Sequence, residues 1–165
     1  MRALAPADAS DVLRINSGAR PGVAALTDVE LERLTSISRG HMLVALCDAR
    51  VAGYLLAFES EAAYDGEEFR WFRDGQSEAF VYVDQIAVAE GRRGRGAGSA
   101  LYAAIGAIAR DIGAGALCCE VNTRPPNTAS LEFHKKLGFV VAGSMVTADG
   151  REVDLLCLRL SPGPE

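Results

Sequence analysis

Residues 80–121 read as strand, glycine-rich turn, helix and strand in immediate succession, and no other stretch limits the possible folds as much. Phe80–Val88 is apolar and rich in β-formers, Gly91–Gly98 alternates glycine with arginine, Ser99–Asp111 is alanine-rich, and Ala116–Val121 is again apolar. Two strands joined through a helix lie parallel, because a parallel pair needs a crossover of a dozen residues or more. Such a unit must bury both faces of its sheet under helices.

The flanking sequence adds antiparallel pairs. Arg2–Ala5 is a short first strand, and Pro6–Gly18 and Thr27–Ser38 are helices. The second helix opens on a capping box, Thr27-x-x-Glu30, and carries the stripe Val29, Leu31, Leu34 and Ile37. His41–Cys47 and Val51–Phe58 are strands separated only by Asp48, Ala49 and Arg50, a hairpin. After the crossover come the helix Pro126–Leu137 and the strands Phe139–Thr147 and Glu152–Leu160, joined through Asp149-Gly150. The order predicts a single α/β (α+β) domain over residues 1–160, with a mixed, mostly antiparallel sheet flanked by helices and a loose tail at 161–165. The last strand is apolar on both faces toward its end, so it is either central in the sheet or paired with a second subunit. A homodimer is expected on the second of these.

Of the 165 residues, 49% are hydrophobic and the net charge is only −5, which excludes a mainly disordered chain. No run approaches the 18 apolar residues of a membrane span, and the N-terminus lacks the apolar core of a secretory signal, so a cytoplasmic protein with no membrane partner is expected. Acids outnumber bases 22 to 17, which argues against a nucleic-acid partner. Cys47, Cys118, Cys119 and Cys157 lie in strand-like runs without metal spacing, and the only histidines are His41 and His134. Buried free thiols and no metal are expected.

Residues 59–79 fit no periodic pattern and are expected to form a long loop. They hold seven acids (Glu59, Glu61, Asp65, Glu67, Glu68, Asp74 and Glu78), two arginines (Arg70 and Arg73), and the aromatics Tyr64, Phe69, Trp71 and Phe72. A loop of this length in a small domain is functional or disordered, and the aromatics argue for the former.

The densest chemical signal is Arg92-Arg93-Gly94-Arg95-Gly96-Ala97-Gly98-Ser99. Glycines there leave backbone N–H groups uncovered at a helix N-terminus, where the macrodipole adds about half a positive charge and three arginines stand alongside. The combination suits a phosphate or pyrophosphate; the alternative is a solvated turn. It is not a P-loop, which needs a lysine after the last glycine. Gly94-x-Gly96-x-x-Ser99 comes near a dinucleotide fingerprint, with Glu120 downstream, but that fold requires further βαβ units.

Arg93-Gly94-Arg95-Gly96-Ala97-Gly98 resembles the Arg/Gln-x-x-Gly-x-Gly/Ala signature of the GCN5-related N-acetyltransferases. Ile86-Ala87-Val88 looks like the end of that family's fourth strand. The segment from Asn127 through Ser130, Phe133 and His134 to Leu137-Gly138-Phe139 is similar to the family's Asn-…-Tyr-…-Leu-Gly-Phe stretch. The resemblance spans essentially the whole chain. It implies an acyl-CoA N-acyltransferase fold and an N-acetyltransferase that uses acetyl-CoA, with a primary amine of a small molecule, amino-acid derivative or peptide attacking the thioester directly.

By the same resemblance, the pyrophosphate of acetyl-CoA lies on Arg93, Gly94, Arg95, Gly96, Ala97, Gly98 and Ser99. The pantetheine arm pairs with the backbone of Ile86, Ala87 and Val88, and Asn127 contacts the cofactor. No protein nucleophile is required.

Two proton tasks remain. Asp84 stands in strand Phe80–Val88 where an apolar residue is expected, on the face of Ile86 and Val88, and is the candidate base; its alternative is a structural partner for an arginine or a backbone N–H. His134 occupies the place of the family's tyrosine, a departure. It either protonates the leaving thiolate, hydrogen-bonds the cofactor sulfur, or merely packs and caps its helix. Tyr82 and Tyr102 could also donate. In the acidic stretch, Glu68 and Trp71 are candidates for binding the acceptor, Glu68 also as a second base; the alternative is that the acids are solvated charges that keep an exposed loop soluble. The competing readings are a non-catalytic acyl-CoA-binding module, which keeps the cradle and loses the proton-handling groups, and an NAD-dependent oxidoreductase.

Overall fold

The computed structural model describes residues 1–161; of the tail expected at 161–165, residues 162–165 lie outside the described residues. Seven strands and five helices form one mixed sheet with its helices. The elements are β1 (Arg2–Ala3), α1 (Ala9–Ala19), α2 (Asp28–Ser38), β2 (Met42–Cys47), β3 (Arg50–Glu59), α3 (Glu67–Gly75), β4 (Phe80–Val88), α4 (Ala97–Asp111), β5 (Ala116–Arg124), α5 (Thr128–Lys136), β6 (Val140–Val146) and β7 (Glu152–Arg159). The strand order is β1-β2-β3-β4-β5-β7-β6. Among the described residues, no helix is long and apolar enough to cross a membrane.

The chain divides into two compact units. One comprises Met1–Phe58 and Asp84–Ala107, the other Glu59–Val83 and the described residues from Ile108 onward. In the first, β1, β2 and β3 pair antiparallel. β3 is buried on both faces from Val51 to Phe58, which is why its sequence is a continuous apolar run rather than an alternation. The β2–β3 turn is tighter than the three-residue spacer read from the sequence: Cys47 opposes Arg50, and Asp48 and Ala49 take φ of 53° and 60°. Both central positions of such a two-residue turn need positive φ, which matches the twist of the strands. In α2, Thr27 accepts from the Glu30 amide at 3.2 Å. Leu31 and Leu34 are buried, whereas Val29, expected in the same stripe, is 75% exposed.

In the second unit β4 and β5 pair parallel, Phe80 with Ala116 through Val83 with Cys119. β7 pairs antiparallel with β5 on one side and β6 on the other, so its two apolar faces belong to an inner strand and require no second subunit.

The expected loop at 59–79 is corrected by α3. Phe69 and Phe72, three residues apart, are both fully buried, and their rings pack against Phe80 and Tyr82 with centroids 5.6–6.1 Å apart. Burying one such side chain contributes about 1.5–3 kcal/mol. Glu67 and Glu68 in the first turn and Arg73 in the last suit the helix dipole. Only the short apolar face marks the helix in the sequence, and the acids around it hide the period.

Candidate functional site

In the first unit, the segment after β4 has the backbone that its glycines allow. Glu90–Arg92 is a short 3-10 turn, after which Gly94 and Gly96 take φ of +72° and +85°, a region that side chains rarely adopt. A Cβ placed on either glycine would meet nothing within 4 Å, so the space in front of both is open. The first backbone bond of α4 runs from the Ala100 amide to Gly96 O at 2.9 Å. The amides of Ala97, Gly98 and Ser99 therefore precede the helical ladder and have no partner within it. Arg93 and Arg95 are exposed beside them. Open space, orphan amides, a helix dipole and two exposed guanidinium groups together fit a diphosphate.

The third arginine is engaged otherwise. Arg92 Nη1 lies 3.1 Å from Asp48 Oδ2 and 3.0 Å from Cys47 Sγ, which ties the segment to the β2–β3 turn.

β4 continues as Asp84–Val88 past the last of its parallel pairs with β5. One edge of this stretch is taken by β3. The Ala89 amide donates to Ala52 O at 2.9 Å, and a Cβ on Gly53 would sit 2.8 Å from Ala87 O. Strand alternation turns the backbone groups of Ile86 and Val88 toward the opposite edge. Arg93 Nε donates to Val88 O at 3.2 Å.

Asp84, Ile86 and Val88 are half-buried, and Gln85 and Ala87 between them are buried. Asp84 thus shares the face of Ile86 and Val88.

Gln85 belongs to a polar cluster that sequence reading missed. The Tyr54 hydroxyl donates to Gln85 Oε1 at 2.8 Å, and Asn16 Nδ2 lies within reach of Tyr54 Oη, Gln85 Oε1 and Ala24 O. The Leu26 amide donates to Asn16 Oδ1 at 3.0 Å. Burial pushes the Tyr54 phenol well up, so it remains a donor. The cluster fastens the segment between α1 and α2 to β3 and β4. A polar residue at an expected core position of β4, next to Asp84, is the one sequence signal that could have exposed it.

In the second unit the structure gives the remaining expected residues local partners. Asn127 is the N-cap of α5, its Oδ1 accepting from the Ser130 amide at 3.3 Å. His134 is 2% exposed, with Phe133 and Phe139 edge-on to its ring at 5.3 Å. Its Nδ1 lies 2.7 Å from Ser130 O. A carbonyl only accepts, so Nδ1 carries the proton and the neutral ring has none on Nε2 to give. Burial also lowers the pKa of His134 below its usual 6.5.

The unfolded chain therefore binds more protons than the folded one as pH falls through 6.5, and stability falls with it. In urea titrations at pH 7.5 and 5.5, wild type is expected to lose stability at the lower pH. His134→Phe is expected to shrink that loss; an unchanged loss would refute the assignment.

Glu68 is buried in α3 and accepts from Arg151 Nη2 at 3.3 Å. Arg151 also reaches Asn122 Oδ1 and Asp149, while the Glu67 carboxylate accepts from the Ala148 amide. The β6–β7 turn is thereby clamped to α3. Trp71 packs against Gly143, where a Cβ would come within 2.6 Å of its ring, and is 37% exposed. Part of the acidity read as an acceptor site is thus committed to internal pairs.

A further carboxylate, Glu120 on β5, is half-buried and accepts a short hydrogen bond from the Tyr82 hydroxyl. In the sequence it stood out only as the acid downstream of the glycine turn, with apolar neighbours in its strand.

The family model described as Acetyltransferase (GNAT) family matches residues 11–139. No curated protein matches the sequence. Among solved structures, the fold is shared with Ard1 from Thermoplasma volcanium (22% identity over 97% of this chain and 96% of that one, TM-score 0.76). It is shared also with ribosomal-protein-alanine N-acetyltransferase from Brucella melitensis (24%, 96% and 98%, TM-score 0.71). A third is yncA from Salmonella typhimurium, solved with its cofactor acetyl-CoA (20%, 99% and 95%, TM-score 0.72).

Proposed function

The chain belongs to the acetyltransferase (GNAT) family, and on that premise we propose that it moves an acetyl group from acetyl-CoA to a primary amine of a small molecule, amino-acid derivative or peptide. The observation that carries this reading is the turn before α4, where Gly94 and Gly96 hold positive φ and face open space. Acetyl-CoA supplies the activated thioester. Arg93, Gly94, Arg95, Gly96, Ala97, Gly98 and Ser99 hold its diphosphate through amides and guanidinium groups. Ile86 and Val88 offer backbone on the edge of β4 away from β3, so an extended arm can add there as a further strand. The same cofactor accompanies yncA, which shares the fold.

An amine with a pKa of about 10.4 is mostly ammonium at neutral pH and must lose a proton before it attacks. Asp84 accepts that proton. It is half-buried on the face of Ile86 and Val88, so an amine brought to the acetyl end of an arm along this edge comes within its reach. Glu68 and Trp71 act on the acceptor at most through their exposed parts, given their pairing with Arg151 and Gly143. His134, neutral and with Nδ1 committed, orients its helix and leaves protonation of the thiolate to solvent or to another hydroxyl.

Isothermal titration with acetyl-CoA, CoA and NADH, followed by thiol release over a panel of amines, tests the reading. Binding of acetyl-CoA and CoA with amine-dependent thiol release is expected. Binding without release would assign the chain as an acyl-CoA-binding module, and binding of NADH alone would overturn the proposal.

A further inference from the structure

On β5 and β7, Cys118 stands directly opposite Cys157 in antiparallel register. Opposed residues of such a pair are about 4.5–5.5 Å apart at Cα, inside the span of about 4.4–6.8 Å that a disulfide bridges. Neither thiol belongs to the acetyl-transfer site proposed above. Cys118 is fully buried, Cys157 is 8% exposed, and Gln76 at the end of α3 donates its amide to Cys118 Sγ at 3.2 Å. Cys119, next along β5, points to the opposite face by alternation and opposes Leu156.

We propose that Cys118 and Cys157 form a cross-strand dithiol that small hydroperoxides oxidise to an intramolecular disulfide. The roles of the two sulfurs differ. The Cys118 thiol donates to the Cys157 sulfur, which holds Cys157 below the ordinary thiol pKa with help from Arg159, and pushes Cys118 up. Cys157 is therefore the attacking thiolate and Cys118 the resolving thiol.

In the first step the Cys157 sulfur bonds the terminal peroxide oxygen, the O–O bond breaks, and the departing alkoxide or hydroxide takes a proton. In the second, the Cys118 sulfur displaces that oxygen from Cys157. An S–S bond forms, an S–O bond breaks, and water leaves with the Cys118 proton. Two electrons pass from the thiols to the peroxide.

The test treats the native full chain with hydrogen peroxide, then counts thiols after denaturation and maps peptides without reduction. Of the four cysteines, two thiols are expected to remain, and dithiothreitol should restore all four. The Glu152–Arg159 peptide is expected linked to the β5 peptide within one chain. A Cys119→Ser chain, in which Cys118 is the sole β5 thiol, should give the same link. Cys157→Ser should abolish it. Four surviving thiols, a link through Cys47 or Cys119, a link between chains, or Cys157 oxidised to an acid without any link would each overturn the proposal.

Discussion

Ser99→Glu is expected to weaken acetyl-CoA binding by about 10²–10³-fold, because like charges brought together at an interface cost several kcal/mol and each 1.4 kcal/mol is tenfold. Ser99 is exposed in the first turn of α4, and its amide is one of those preceding the helical ladder. A carboxylate there occupies the place of the diphosphate. The substitution should not harm the fold, since an acid at a helix N-terminus is favourable by about 0.3–1 kcal/mol. Gly96 is a poorer position for the test, because its φ of +85° would strain any side chain and confound binding with stability. Calorimetric affinity read beside the thermal midpoint separates the two effects. Undiminished affinity with a normal midpoint would mean that the diphosphate lies elsewhere.

Replacing the proposed base is expected to act on turnover instead. Asp84→Asn should lower kcat by about 10²–10⁴-fold, the usual contribution of a positioned acid or base, with acetyl-CoA affinity unchanged. The pH profile gives the independent reading. Without a carboxylate the amine must lose its proton to solvent, so the residual rate should climb with pH toward the amine pKa of about 10.4. A kcat and profile like wild type would make Asp84 structural. Glu120, half-buried and hydrogen-bonded by Tyr82, is then the next carboxylate to replace.

The elements that sequence reading placed well are those whose signals are local. The Thr27 cap, the Asp149-Gly150 turn and the run of glycines before α4 each act over a few residues, and all stand where expected. The phosphate-binding segment was legible for the same reason, since a positive φ has to be encoded by the residue that adopts it. α3 was not, because its warrant is the packing of Phe69 and Phe72 on Phe80 and Tyr82, residues brought near by the sheet. The role of Gln85 was not legible either, because its partners Asn16 and Tyr54 are distant in sequence.

The amino-acid sequence by itself determined the order of the strands and of every helix except α3, the mixed character of the sheet, the glycine turn with its arginines, and the resemblance to the family. The first three follow from periodicity, turn chemistry or backbone freedom within a short window, and the fourth from the resemblance of two short motifs. Only the tertiary structure decided what the distant partners are. It buried His134 with its proton on Nδ1, set Glu68 against Arg151, and matched Cys118 to Cys157 across two strands. Protonation state, ion pairing and thiol reactivity depend on the dielectric and charges around a group. Those surroundings are assembled by register and packing, which no short stretch of chain contains.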